Sequence, residues 1–308
     1  MRLIFAGTPA VAVPSLDAVL AAGHEVVAVL TRPDAPIGRR RVLTPSPVAQ
    51  RAAELDIEIV HASKVDADIT EKLAAYEPDA AAIVAYGALI PAVALAIPTH
   101  GWINLHFSLL PAWRGAAPVQ HAVIHGDEIT GASTFRLEPG LDTGPVFGRL
   151  TEEIRPGDTS GILLERLSHS GAVLLQQTIA ALESGTASPV PQSGEVSMAP
   201  KLTIEDARID WSQPALAIDR RIRGVSPEPG AWTTLDGQRF KLGPVTLEPG
   251  GADLGPGRIR LAADKKSVVA GTGSHNVQLH MVQPAGRKSM AAADWMRGME
   301  NQEDVMFT

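Results

Sequence analysis

The chain has no cysteine, which excludes disulfides, thiolate metal sites and a cysteine nucleophile. It has no apolar run approaching the roughly 18 residues of a membrane-spanning helix. Its opening "MRLIFAG" reads as a strand, not as a charged-then-apolar signal region. The expectation is a soluble, cytoplasmic protein with no membrane partner. It also lacks a G-x-G-x-x-G fingerprint, a Walker-type glycine loop and a G-x-S-x-G elbow, so dinucleotide, P-loop and serine-hydrolase chemistry lose their best evidence. An excess of positive charge is missing too. The formal net charge is −7, which argues against a general nucleic-acid binder. The acidity is uneven: residues 206–308 carry 13 basic against 12 acidic side chains, whereas residues 1–205 carry 14 against 22. Any polyanion site must therefore be built from local clusters.

What is present is ample material for a core, since 45% of 308 residues are hydrophobic, enough for one large or two ordinary domains. Apolar runs at 2–7, 25–31, 57–61, 80–86 and 102–107 alternate with helix-like stretches at 14–22, 47–55, 66–76 and 89–96. That alternation predicts βαβ units and a mostly parallel sheet, with ligands bound beyond the strand carboxyl ends. A helix is expected over 114–125, then two strands around a Pro/Gly-rich loop within 131–154, then a long helix at about 159–183 ended by Gly185. "GTASPVPQSGEVSMAPK" reads as a linker. A short helix at 213–223, with Ser212 as N-cap, and five short strand candidates between 231 and 282 then suggest a small barrel or sandwich. The boundaries expected are a catalytic domain over 1–188, a linker over 189–207 and a C-terminal domain over 208–308.

Four features bear on chemistry. In "NLHFSLLP", period-2 alternation places Asn104, His106 and Ser108 on one face of a strand end. An asparagine amide can donate to an oxyanion and a histidine can carry a proton near neutral pH, although a buried histidine can equally be a satisfied core residue. "EPGLDTG" supplies Asp142, which is either an Asx-turn residue or a carboxylate orienting the histidine. "RPDAPIGRRR" is either a solvated loop or a mobile phosphate clamp. His121 and His125 share an i,i+4 helix face, but no H-E-x-x-H pattern supports a metal.

Together, "NLHFSLLPAWRGAAPVQ" and "EPGLDTG" resemble the folate-dependent formyltransferases. The "SLLPAWRGAAP" form is similar to the methionyl-tRNA formyltransferase family in particular. "IFAGTP", "VAYGALIP" and "KLTIEDARIDW" agree with this. The resemblance is dense over 2–150 and 199–211 and thinner near the C-terminus. It implies a Rossmann-like α/β catalytic domain followed by a small OB-like β-barrel. It implies catalytic roles for Asn104, His106 and Asp142. The folate pocket would include Ala85, Tyr86, Gly87, Ser108, Leu109, Leu110 and Pro111, and Arg39 would contact tRNA with Arg40 and Arg41 beside it. It further implies transfer of the formyl group of 10-formyltetrahydrofolate to methionyl initiator tRNA, with no metal, by what is expected to be a monomer.

Rival readings share the same three polar residues: a formyltransferase acting on a small amine or sugar amine, or a hydrolase of the formyl carrier. A non-catalytic RNA-binding protein is a rival of another class. Charge alone nominates Arg220, Arg221, Arg223, Lys241, Arg287 and Lys288 as further RNA contacts. Two positions depart from the family pattern. Phe107 stands where a small residue is common, and alternation directs it towards packing and away from a pocket. "GVSPEPGAW" lacks the aromatic residues often found there.

Overall fold

A computed structural model describes residues 1–38, 40–250, 254–262, 266–299 and 305–308. The chain divides into two compact units. One holds residues 1–118, 129–153 and 164–200; the other holds 119–128, 154–163 and 201–308.

The first unit begins β1 (Arg2–Gly7), α1 (Val13–Ala21), β2 (Glu25–Thr31), a small hairpin of β3 (Ala35–Ile37) and β4 (Val42–Thr44), α2 (Pro47–Glu54), β5 (Ile59–His61) and α3 (Ala67–Ala74). It continues with β6 (Ala80–Val84), α4 (Ala92–Leu95) and β7 (Trp102–His106); β8 (Ile129–Arg136) and β9 (Val146–Glu153) complete the sheet. Among the described residues the sheet has seven strands in the order β5-β2-β1-β6-β7-β8-β9. The first five run parallel, and β8 and β9 add an antiparallel edge. β6 is buried along its whole length, the pattern of a parallel strand covered on both faces. Because β2 and β5 lie on one side of β1 while β6 and β7 lie on the other, the order reverses between β1 and β6. A crevice opens at the carboxyl ends at such a switch point.

Helix starts follow local chemistry. The Ser46 hydroxyl accepts from the Ala49 N–H at 3.0 Å to cap α2, and Asp66 does the same for Ile69 at 3.2 Å on α3. The later turns of α6 (Ser160–Glu183) pack beneath β7 and β8, where Thr178 bonds Thr134 at 2.8 Å and a Cβ on Gly171 would stand 3.0 Å from Leu105.

Several expectations need correction. Residues 114–117 are not helical, and α5 (Pro118–His125) starts later because Arg114 pairs instead with Met198. The expected loop at 32–41 is in part the β3–β4 hairpin. Ser212 does not cap α7 (Ala215–Gly224): its hydroxyl binds Asp210 at 2.6 Å, and Pro214 holds the cap position.

Among the described residues the second unit holds α5 and α7 with two antiparallel four-stranded sheets. One consists of β10 (Trp232–Leu235), β11 (Gln238–Leu242), β16 (Met281–Gln283) and β17 (Met290–Ala291). The other consists of β12 (Val245–Glu248), β15 (Asn276–Leu279), β14 (Val268–Ala270) and β13 (Ile259–Leu261). α8 (Ala292–Arg297) follows. Ile218 and Ile222 of α7 join Trp211, Phe240, Val268 and Phe307 in one core, and the Trp211 and Phe307 rings stack at 5.1 Å. No helix among the described residues is long and apolar enough to cross a membrane.

Candidate active site

β7 is the last parallel strand, and its carboxyl end carries the polar pair. Asn104 pairs in register with Ile83 of β6 and Phe135 of β8, and His106 pairs with Ser133 of β8. Ser108 lies beyond the strand, fully buried, and its hydroxyl is spent on the Ala112 carbonyl.

The imidazole of His106 is only 7% exposed. Its Nε2 stands 2.9 Å from the Trp113 carbonyl oxygen. A carbonyl can only accept, so Nε2 carries a hydrogen and in the neutral ring Nδ1 presents its lone pair. Nδ1 faces Asp142 Oδ2 at 3.8 Å, outside hydrogen-bond range but close enough for strong attraction once the ring is charged. Burial holds the His106 pKa below its ordinary 6.5; the Asp142 charge and the Trp113 carbonyl oppose that shift without cancelling it. The resting ring is a neutral base with a carboxylate waiting beside it.

Asp142 is set by backbone. It occupies the left-handed region at φ 53°, which aspartate tolerates better than most residues. Its Oδ2 accepts the Gly115 N–H at 2.8 Å. Two loops therefore meet over His106. Residues 107–117 supply the Trp113 carbonyl and the Gly115 N–H, and residues 137–145 supply the carboxylate. Gly144 has to be glycine, since a Cβ there would lie 1.8 Å from the Arg136 carbonyl oxygen. The first loop is anchored by the Trp113 N–H on the Ser197 hydroxyl at 2.9 Å, and by the Leu110 carbonyl, which accepts from Arg149 Nη2 at 3.0 Å.

A cavity of about 1020 Å³ opens beside these groups. Ile83 and Asn104 line it from the ends of β6 and β7, Arg32, Lys64 and Ala88 from the segments that follow parallel strands, and Glu138, Leu141 and Asp142 from the loop. Among the described residues the Asn104 amide has no side-chain partner within the protein and is half-buried at the cavity wall.

The structure thus sets His106 against Asp142 and places Asn104 with Asp142 on the cavity wall, while His106, two residues along β7 from Asn104, does not itself line the cavity. None of Ala85, Tyr86, Gly87, Ser108, Leu109, Leu110 and Pro111 lines this cavity. Tyr86 is buried, with its hydroxyl on the Ala62 carbonyl at 2.8 Å, while its own carbonyl accepts from Thr8. Phe107 is buried and does not line the cavity either. Arg39 lies outside the described residues; Arg40 and Arg41 are exposed at the hairpin tip. Of the other nominated cations, Arg223 is committed to Asp219 at 2.9 Å, and Arg221 donates to the Asp206 carbonyl at 3.2 Å. The His121 and His125 rings stack at 5.8 Å, and the described residues gather no group of three or more metal-ligating side chains. The Trp113 carbonyl and the Gly115 N–H carry no mark in the sequence, because every residue has both groups.

Comparison with known proteins agrees with this architecture. Residues 1–179 match the Formyl transferase family, and residues 201–300 match the family described as Formyl transferase, C-terminal domain. A "Methionyl-tRNA formyltransferase" of Arthrobacter sp. (strain FB24) is 70% identical over 307 residues, covering all of both chains. The protein of that name from Streptomyces coelicolor is 59% identical over 301 residues, covering 97% of this chain and 96% of its own. Two solved structures share the fold. One is a methionyl-tRNA formyltransferase from Clostridium thermocellum, at TM-score 0.56 and 17% identity, covering 82% of this chain and 95% of its own. The other is the sugar 3N-formyl transferase WlaRD, at TM-score 0.67 and 16% identity, covering 94% and 99%.

Proposed function

The chain belongs to the formyl transferase family, and from that premise we propose that it transfers the formyl group of 10-formyltetrahydrofolate to the α-amine of methionine carried on initiator tRNA. The observation that carries the choice of acceptor is the full-length similarity to relatives named methionyl-tRNA formyltransferase, at 57–70% identity.

The chemistry follows from the three polar side chains. The neutral methionyl amine attacks the formyl carbon, and the carbonyl electrons collect on oxygen. The Asn104 amide donates to that oxyanion, a hydrogen bond that strengthens as negative charge builds on the oxygen. The nitrogen that has attacked carries a surplus proton, and the His106 Nδ1 lone pair accepts it. The imidazolium then has its Nε2–H on the Trp113 carbonyl and its Nδ1–H towards Asp142. Collapse of the tetrahedral carbon breaks its bond to the folate nitrogen, which takes up the proton held by the imidazolium as it leaves, so that His106 returns to its neutral form. The donor fits the cavity, whose walls are aliphatic at Ile83, Ala88 and Leu141 and whose rim carries Arg32 and Lys64. Exposed Arg40 and Arg41, with Arg39, would meet the acceptor-end phosphates, so that transfer weakens steeply as salt rises.

The test is one assay of formyl transfer from 10-formyltetrahydrofolate to charged initiator tRNA, to a charged elongator tRNA and to free small amines. Transfer confined to the initiator is expected. Equal or better transfer to a small amine would overturn the reading.

A further inference from the structure

Gln192 lies in the Pro/Ser/Gly-rich stretch that reads as a linker, yet its amide sits between the two loops that build the site. Its Oε1 accepts from Arg114 Nη2 at 2.7 Å and from Arg114 Nε at 3.2 Å. Its Nε2 donates to the Asp142 carbonyl at 2.8 Å and to the Gly144 carbonyl at 2.9 Å. The partners fix which end is oxygen, since a guanidinium only donates and carbonyls only accept. Two donors and two lone pairs are all that a primary amide has, and all four are engaged.

No other common side chain reproduces this. Glutamate would hold Arg114 but set a carboxylate oxygen against two carbonyls. Lysine or arginine would serve the carbonyls but repel Arg114. Asparagine is one methylene short. The Arg114 end belongs to the loop whose next residue, Gly115, donates to Asp142 Oδ2; the other end holds the backbone of Asp142 itself. Arg114 and Gln192 therefore close a ring of bonds around the carboxylate. Among the described residues no other charged group bears on His106, whose Nε2 is on the Trp113 carbonyl and whose ring meets the Phe135 ring edge-on.

We propose that Gln192, clamped by Arg114, is a positioning residue that fixes the Asp142 carboxylate opposite His106. The proposal rests on the catalytic reading above. Outer residues that orient a reacting group typically contribute about 10–100-fold. Gln192→Ala is accordingly expected to lower kcat by at least about tenfold and to leave KM for charged tRNA within about threefold. As the carboxylate drifts from His106, the acid limb of the pH–rate profile moves to lower pH. A residue that merely stiffened the fold would leave that limb where it is.

The decisive measurement is the cycle with Asp142→Asn, using the full-length enzyme. Once the carboxylate charge is gone, removing Gln192 should cost no more than about threefold. Gln192→Glu keeps the Arg114 contact and hence the loop anchor, so it is expected to fold normally yet lose as much kcat as the alanine variant. An equal Gln192→Ala penalty in both backgrounds, an unmoved acid limb, or full activity in Gln192→Glu would each overturn the proposal. Failure of the catalytic reading is separately visible, because Asp142→Asn alone would then retain wild-type kcat.

Discussion

The sharpest expectation concerns Asp142→Asn. Nδ1 of His106 and Oδ2 of Asp142 are 3.8 Å apart, with side chains only 7% and 12% exposed. At an effective dielectric of about 20, unit charges at about that distance attract by roughly 4 kcal/mol. The attraction exists only while the imidazole holds a proton, so it acts after proton transfer begins and not in the resting enzyme. Its loss corresponds to about three orders of magnitude in rate at most, and about 10²- to 10³-fold in kcat is expected once residual solvent is allowed for. Asparagine keeps one oxygen to accept the Gly115 N–H, so the loop should stay closed. That oxygen takes the place of Oδ2, the atom that also faces Nδ1, so the ring is left opposite a neutral acceptor in place of a charged one. Single-turnover formyl transfer to charged initiator tRNA measures the effect, with a melting curve to establish folding. If the variant keeps more than about a third of wild-type kcat, the carboxylate does not stabilise the imidazolium.

Asn104→Ala should cost at least about a hundredfold in kcat, with a normal melting temperature, because an oxyanion donor is lost; near-normal turnover would remove Asn104 from the mechanism. Gly144→Ala forces a Cβ to within 1.8 Å of the Arg136 carbonyl oxygen. Overpacking of this kind costs about 1–3 kcal/mol, readable as a lower denaturant midpoint together with reduced kcat. The acid limb of kcat should fall below pH 6.5, since burial holds His106 neutral below its ordinary value. Stability carries the same sign. The unfolded chain binds a proton at His106 near pH 6.5 and the native chain binds it only at lower pH, so stability falls as pH drops through that window. His106→Asn should flatten that part of the stability curve.

Much of the sheet was legible because β1, β2, β6 and β7 are continuous apolar runs, the mark of strands covered on both faces. Asn104 and His106 were legible for the complementary reason, that polar residues two apart stand out within such a run. Residues 114–117 misled because nothing local distinguishes a helix start from a segment that pairs with residue 198, far away in sequence. Gln192 escaped notice because Pro/Ser/Gly composition reports missing periodicity, and a chain without periodicity can still be fully hydrogen-bonded. The β3–β4 hairpin was hidden by Pro36 and Gly38, which signal a turn but not the short pairing of Ala35–Ile37 with Val42–Thr44 around it.

The Gln192 bridge also sets an order of events during synthesis. It joins Arg114 across 78 residues and Asp142 across 50. A nascent chain grown to residue 179, where the first family match ends, already contains Asn104, His106 and Asp142. It does not yet contain the amide that holds Asp142 in place. Strand pairing can proceed as the chain emerges from the ribosome, N-terminal elements first. The last part of the site arrives after the sheet is complete, so a chain cut in that interval would hold the three polar residues without their brace.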